Sequence, residues 1–227
     1  GNGGSQSITG VGHQPDWVWI KKRNGAADSS LMDVIRGVRK SLVSNANNAE
    51  YTESSGFSSF DSDGFSFDGN GFNHVNTNSD SFVGWCWKAN GAGSSNSDGT
   101  ISSTVSANRT TGATVGHGLG VKPNLIILKY RNVGSTNWQI YHSSLGATKY
   151  LQLNSNGAST TSNTRWNDVE PTNQVFTLGS SGDVKTNGGQ YIAYCFAEKR
   201  GFSKFGSYSG FSNTNGPFLY TGFKPKF

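Results

Sequence analysis

A ten-residue stretch that begins with proline occurs twice in the chain, and its opening residues occur a third time. The copies read PDWVWIKKRN from Pro15 and PNLIILKYRN from Pro123, and a short third copy begins at Pro225. Proline fixes φ and donates no backbone hydrogen bond, so it suits the entrance of a strand. The apolar run that follows, ending in basic residues, is typical of a strand covered on both faces. The repeated stretch therefore predicts a tandem array of β-rich units.

The spacing of the copies indicates the size of each unit. The prolines are 108 and 102 residues apart, which suits one β-sandwich per repeat and is too long for one coil of a solenoid. The 31 glycines and the charged fraction of 15% suit short strands joined by many turns, and the 12% of aromatic residues supply core material. We therefore predict an all-β chain of two tandem β-sandwich domains, jelly-roll or lectin-like, related by internal duplication. The predicted segments are a glycine-rich N-terminal arm (1–10), a first sandwich (11–90), a connector rich in glycine, serine and threonine (91–115), a second sandwich (116–200) and a C-terminal segment (201–227).

The segment 30–42 can be read in two ways. Taken alone, its apolar residues fit one face of an amphipathic helix. Its counterpart in the second repeat, 138–154, is β-branched and aromatic with a glycine turn in its middle, and Gly37 matches Gly146. Because repeats share a fold, we predict a hairpin in both copies. A helix over 31–36 remains the alternative.

Each repeat is predicted to contain two further β elements. Residues 59–67 read as strand, turn and strand, and their counterpart is 173–179. The repeats close with the runs FVGWCW at 82–87 and YIAYCF at 191–196. Large side chains alternate with small ones along both runs, so one face of each strand leaves room for another layer to approach. Two layers are needed to cover such a strand, and a β-sandwich supplies them.

The composition argues against nucleic-acid and membrane partners. The net charge is only +5, and the lysines and arginines are scattered along the chain rather than clustered. A nucleic-acid-binding domain usually concentrates its basic residues in one patch. No apolar run approaches the roughly 20 residues that are needed to span a bilayer. We therefore expect neither a nucleic-acid partner nor a membrane span.

Few residues point to catalysis or to a cofactor. Cys86 and Cys195 hold equivalent positions in the two repeats, too far apart for a disulfide, and are predicted to be buried and unpaired. The histidines show no zinc-ligand spacing. The acidic segment 61–68 has a faint likeness to a calcium loop but also reads as a hairpin turn. Asp168 and Glu170 are candidates for glycoside hydrolysis by residue type alone, and they lie too close in sequence to flank a substrate. We expect no enzyme activity, no metal and no cofactor.

Three aromatic residues stand in polar contexts, where an exposed ring could stack on the face of a sugar. They are Trp138, Tyr141 and Trp166. Core packing is the competing interpretation of the same rings. Asn108 begins the one N-x-S/T pattern for N-glycosylation, whose alternative is an ordinary connector turn.

Four motifs carry a resemblance to a known family. They are VGHGLGVKP at 115–123, YHSSLG at 141–146, WND at 166–168 and YIAYCFAE at 191–198. Together they resemble an uncharacterised domain family that recurs in tail-fibre and other structural proteins of aquatic bacteriophages and in related environmental sequences. The resemblance covers nearly the whole chain. It implies a β-rich module located outside the cell or on a virion surface, and it implies no catalytic residues.

The end of the chain suggests a role in assembly. The run GFKPKF at 222–227 resembles GVKPNL at 120–125, which leads into the first strand of the second repeat. A lone apolar strand is unstable in water, so we expect it either to continue into a further repeat or to add to a sheet of a neighbouring copy. The predicted assembly residues are Phe218, Leu219, Tyr220, Phe223, Pro225 and Phe227.

From these features we predict a non-enzymatic structural subunit of an extracellular fibre or virion appendage, with copies of itself as partners in a head-to-tail homopolymer. The alternative is a module of a phage receptor-binding protein that binds carbohydrates on the cell surface.

Overall fold

The structure is a computed structural model that describes residues 1–71, 75–106, 117–210, 212 and 216–225. Within these ranges the chain forms fifteen β-strands and one four-residue helix, which confirms the all-β prediction. The strands are β1 (Ser5–Ile8), β2 (Trp17–Lys22), β3 (Ser29–Asp33), β4 (Lys40–Val43), β5 (Tyr51–Thr52), β6 (Phe57–Asp61), β7 (Gly64–Asp68), β8 (Phe82–Trp87), β9 (Ser94–Asn96), β10 (Ser103–Val105), β11 (Leu125–Tyr130), β12 (Gln139–His142), β13 (Lys149–Gln152), β14 (Thr160–Thr161) and β15 (Tyr191–Phe196), and the helix is α1 (Asn163–Trp166).

Each half of the chain contributes one antiparallel sheet of five strands. The first sheet has the order β5-β4-β3-β2-β8, and the second has the order β14-β13-β12-β11-β15. In both, four strands form a meander and the last strand returns beside the first, so the proline-led strand is second from one edge. The alternative helix over 31–36 does not form, because β3 continues to Asp33 and a turn follows. That turn reaches Gly37 at φ 86°, and its counterpart Gly146 has φ 75°, a left-handed conformation that favours glycine.

The two sheets share the same register. Trp17 lies opposite Trp87 in the first sheet, and the equivalent pair in the second is Leu125 opposite Phe196. Hydrogen bonds outside the ladders match as well. Just before β2, the N–H of Asp16 donates to the Trp87 carbonyl at 2.8 Å, and before β11 the N–H of residue 124 donates to the Phe196 carbonyl at 2.8 Å. These matched contacts are what an internal duplication would produce, and duplication itself stays a prediction.

The two five-stranded sheets pack face to face and share one hydrophobic core. Alternation along β2 and β11 turns one set of side chains from each sheet into the space between them. The buried members of this central core are Trp17, Leu31, Leu42, Ile127, Trp138, Ile140 and Tyr194. The two predicted sandwiches, 11–90 and 116–200, are therefore joined by a core that both halves build. Each half supplies one of the two sheets that enclose this central core.

A further layer covers the outer face of each five-stranded sheet. The first sheet is covered by a three-stranded sheet of order β1-β7-β6, packed over Val18, Ile20 and Met32. The second sheet is covered by α1 and loops, packed over Ile126 and Leu128. The small residues of β8 and β15 lie on these outer faces, as the alternation of large and small residues predicted.

The segments outside the two large sheets differ from the sequence-based expectation in two places. Residues 1–10 are not a free arm, because β1 pairs with β7 along its whole length. The segment 173–179 forms no strand. It packs Phe176 and Leu178 against the core on the outer face of the second sheet. In the connector 91–115, β9 pairs with β10.

The described residues contain no helix that is long and apolar enough to cross a bilayer.

Candidate assembly surfaces

The last part of the chain contacts the folded body of the protein as far as Phe205. The carboxylate of Glu198 accepts a hydrogen bond from the N–H of Phe205 at 3.0 Å and pairs with the Lys204 ammonium at 3.1 Å. These two donors lower the pKa of Glu198, with the backbone N–H as the larger cause. The ring of Phe205 lies 6.5 Å from that of Phe196, at the end of β15. From residue 206 onwards the chain is the C-terminal tail, defined here as residues 206–225.

Large apolar side chains of the C-terminal tail face solvent. Phe218 is 90% exposed, Tyr220 is 82% exposed and Leu219 is 51% exposed. The described part of the tail forms neither strand nor helix. Burying one such side chain contributes about 1.5–3 kcal/mol. A run of three therefore carries a strong driving force for association with another surface.

The other predicted assembly residues differ from one another in solvent exposure. Phe223 is half-buried, and Pro225 is exposed. Phe227 lies outside the described residues.

A cavity of about 280 Å³ lies between the three-stranded sheet and the first five-stranded sheet, and its lining residues come from the N-terminal half of the sequence. Both β1 and β8 contribute to it, and each is the edge strand of its sheet. We call it the edge cavity, and its main lining residues are Gln6, Ile8, Ile20, Phe65, Phe82 and Gly84. An edge strand presents backbone N–H and C=O groups that another strand can pair with. The edge cavity is therefore an apolar space flanked by two such edges.

Two lining residues of the edge cavity, Gly84 and Gln6, bear on what could bind there. Gly84 has no side chain, and a Cβ there would lie 3.6 Å from Cζ of Phe65, in ordinary contact. The position therefore has room for a methyl group, and anything longer would press on the Phe65 ring. The Oε1 atom of Gln6 is buried and accepts no hydrogen bond from the described residues. A buried acceptor without a donor is costly, so a bound group with an N–H or O–H would be favoured there.

The three rings predicted for glycan stacking are buried. Trp138 and Tyr141 are 0% exposed and Trp166 is 1% exposed. The Trp138 indole N–H donates to the Val43 carbonyl at 2.9 Å, across the interface between the two large sheets. These rings belong to hydrophobic cores and have no face available to a sugar.

A buried ionic network crosses between the two halves. The Tyr194 hydroxyl on β15 donates to Oδ2 of Asp33 at 2.8 Å, and the same carboxylate pairs with Nε of Arg36 at 2.5 Å. Arg36 also donates to the Leu31 carbonyl at 2.8 Å. Burial would lower the pKa of Arg36, but the negative charges around it outweigh burial and raise it. Burial raises the pKa of Tyr194, so its hydroxyl stays protonated as a donor.

The network continues through a second carboxylate. Glu50 binds Arg131 of the second half with two bonds, from Nε at 3.0 Å and from an Nη at 3.1 Å, and binds Arg36 at 3.2 Å. Bidentate pairing fixes orientation as well as distance. Sequence reasoning missed this network. The available signal is that Asp33 and Arg36 stand where the second repeat has His142 and Leu145.

Of the two carboxylates considered for catalysis, Glu170 is held by bonds within the protein. Glu170 accepts hydrogen bonds from Lys122, from the Tyr141 hydroxyl and from the N–H of Ala147, each at 2.7 Å. Burial would raise the pKa of Glu170, but these donors outweigh it and the pKa is lowered. Asp168 lies in the turn after α1 at φ 55°.

The segment 61–68 is the β6–β7 hairpin rather than a calcium loop. Asp63 accepts from the N–H groups of Gly10 at 3.0 Å and Gly12 at 2.5 Å, and Asp68 forms an ion pair with Arg39. In the described ranges no three ligand-type residues group as a metal site would require. Asn108, the predicted glycosylation position, lies outside them.

The two cysteines are unpaired, as predicted, and both are partly buried. Cys86 packs against the core beneath the three-stranded sheet, and Cys195 packs against the core beneath α1. The two thiols therefore lie on opposite outer faces of the sandwich. Burial raises the pKa of the Cys195 thiol to about 12, so it is not a nucleophile at neutral pH.

The fold and these surfaces define a layered all-β protein with an exposed apolar tail. A family model described as a domain of unknown function, DUF7483, matches residues 1–227, and the chain belongs to that family. The match treats both halves as one unit, in keeping with their shared core. No curated protein matches the chain. No solved structure matches it.

Proposed function

We propose that this protein is a non-enzymatic structural subunit of an extracellular fibre or virion appendage, and that its copies assemble head to tail through their terminal segments. The exposed C-terminal tail carries the proposal. Three consecutive large residues, Phe218, Leu219 and Tyr220, expose between half and nine tenths of their surface to water. A segment of this kind is stabilised when it adds to a sheet of another molecule.

Head-to-tail contact follows from the position of the tail. A tail that docks on a different surface of the next copy makes a heterologous contact, which repeats along a filament or closes into a ring. Each copy both offers a tail and presents a receiving surface. One contact is therefore enough to build a polymer.

The body of the protein suits a structural role. The central core joins both halves, and the buried network from Asp33 to Arg131 fixes one sheet against the other. The Glu170 carboxylate, one of the groups considered for chemistry, is engaged in bonds within the protein. The location outside the cell or on a virion rests on the motif resemblance. Because the three candidate stacking rings are buried, no second function is proposed.

Sedimentation velocity of the full chain tests the proposal. We expect the wild type to form species larger than the 24.2 kDa chain as its concentration rises. The tail variant, which carries Phe218→Ser, Leu219→Ser and Tyr220→Ser together, should stay monomeric, because the exposed apolar run is gone. Tyr208→Ser is the matched control, since Tyr208 is a 66% exposed tail aromatic outside that run. Equal assembly by the wild type and the tail variant would refute the proposal.

A further inference from the structure

We infer that the edge cavity is the receiving site for the C-terminal tail of a second copy. This inference rests on the proposed function and adds the partner surface to it. The incoming segment would lie along the edge of β1, with the side chains of Phe218 and Tyr220 entering the space between the two sheets.

The first argument is geometric. The edge cavity lies where two sheets of different layers both end, at β1 and at β8. Side chains alternate across a strand, so a strand added at this edge points every second side chain into the gap. The gap is lined by Ile8, Ile20 and Phe82, which are apolar partners for such side chains.

The second argument is the size of the space. Small-molecule pockets have volumes of about 300–1,000 Å³ and enclose most of their ligand. The edge cavity has about 280 Å³, which is at the lower limit of that range, and it is open on one side. Such a volume suits one or two large side chains better than a whole ligand.

The third argument is polar complementarity. The buried Oε1 of Gln6 accepts no bond from the described residues, and an added strand or the hydroxyl of Tyr220 would supply a donor.

The tail does not occupy the edge cavity of its own chain. Phe218 is 90% exposed, and the cavity-lining residues belong to the N-terminal half of the sequence. The occupant is therefore assigned to a neighbouring copy.

A complementation experiment tests the receiving site separately from the tail. Gly84→Leu adds a branched side chain to the wall of the edge cavity at β8, beside Phe65. Gln6→Lys leaves the apolar core untouched, removes the buried acceptor and places an ammonium group at the site, which an entering apolar side chain would have to desolvate. Either variant should raise the midpoint concentration for assembly by about tenfold or more. Ser5→Lys is the control for Gln6→Lys, because Ser5 is an exposed residue of the same strand, and it should assemble as the wild type does.

Mixing gives the decisive result. A cavity variant keeps its tail, and the tail variant keeps its cavity, so an equimolar mixture should form dimers and nothing longer, while each alone is monomeric. Thermal unfolding of each variant establishes that it is folded. If Gly84→Leu does not fold, Gln6→Lys alone serves as the cavity variant. If both cavity variants assemble like the wild type while the tail variant does not, the receiving site is elsewhere and the inference is overturned, although tail-driven assembly stands. If the wild type never assembles, the proposed function itself fails.

Discussion

The indole ring of Trp17 stacks on the phenol ring of Tyr194, with centroids 4.4 Å apart and planes 17° apart, across the boundary between the two large sheets. Trp17 opens the proline-led strand of the first half, and Tyr194 lies in the last strand of the second. Offset stacking of this kind contributes about 0.5–1.5 kcal/mol beyond the burial of area. The Tyr194 hydroxyl also joins the ionic network, so one residue serves both the apolar and the polar contact between the halves.

Tyr194→Phe should destabilise the protein by about 1–3 kcal/mol. The ring and its stacking remain, but the Asp33 carboxylate loses a hydrogen bond of 2.8 Å in a buried site. Urea unfolding measures the change. Tyr208→Phe is the control, because Tyr208 is 66% exposed, and it should be neutral. Equal stability of Tyr194→Phe and the wild type would show that this hydroxyl does not contribute.

Arg36→Met should cost about 3–5 kcal/mol, since it leaves the carboxylates of Asp33 and Glu50 near each other without the cation between them. Arg200→Met, at an exposed position, should change stability by less than about 0.5 kcal/mol. Unfolding free energies of the two variants in the same buffer give the comparison. An Arg36→Met protein as stable as the control would mean that the network is not needed to join the halves.

The separated halves, 1–106 and 117–227, should not fold as stable units. Separation exposes the inner faces of both sheets, including Trp17, Leu31 and Trp138. Each exposed side chain costs about 1.5–3 kcal/mol, against a total stability of about 5–15 kcal/mol for a typical domain. The dispersion of proton NMR chemical shifts and the cooperativity of thermal unfolding, measured on each half, provide the test. A half that melts cooperatively alone would contradict the shared core.

The strands were predictable from sequence because the two copies constrain each other. The copy at 138–154 identified 30–42 as a hairpin although its own periodicity also fits a helix. Alternation along a strand tells which side chains face inward but not which sheet they meet. Alternation therefore could not predict that one half packs on the other, or that Trp138 is buried.

The same limit explains the buried charges. Lys129 stands among the residues read as the polar end of an apolar run, yet it is 0% exposed. Its ammonium group donates to the carbonyl and hydroxyl of Thr136 at 2.5 and 3.0 Å and to the Asn47 carbonyl at 3.3 Å. These acceptors come from different parts of the chain, so no local sequence pattern predicts them. The edge cavity likewise depends on how two sheets end together in space.

Lys129 should make stability depend on pH in the alkaline range. Burial lowers its pKa from 10.5 to about 8, although the charge of Asp183 opposes the shift. Between about pH 8 and 10.5 the unfolded chain holds the Lys129 proton and the folded chain releases it, so this residue makes the folded state more stable as pH rises. The contribution has a slope of up to about 1.4 kcal/mol per pH unit.

Urea unfolding of the wild type and Lys129→Met between pH 7.5 and 10.5 measures this slope as a difference, in which titration of the tyrosines cancels. Lys185→Met, at an exposed lysine, controls for the loss of a charge. The stability of the wild type relative to Lys129→Met should rise through this window. A constant difference would show that Lys129 keeps its proton in the folded protein.

Electron microscopy of the full chain at increasing concentration tests head-to-tail assembly most directly. We predict filaments or closed rings built from one repeating contact, with filament length rising with concentration, and their disappearance in the variant Phe218→Ser, Leu219→Ser, Tyr220→Ser. Single particles of one 24.2 kDa chain at every concentration would contradict the account. So would filaments that the tail variant forms as readily as the wild type.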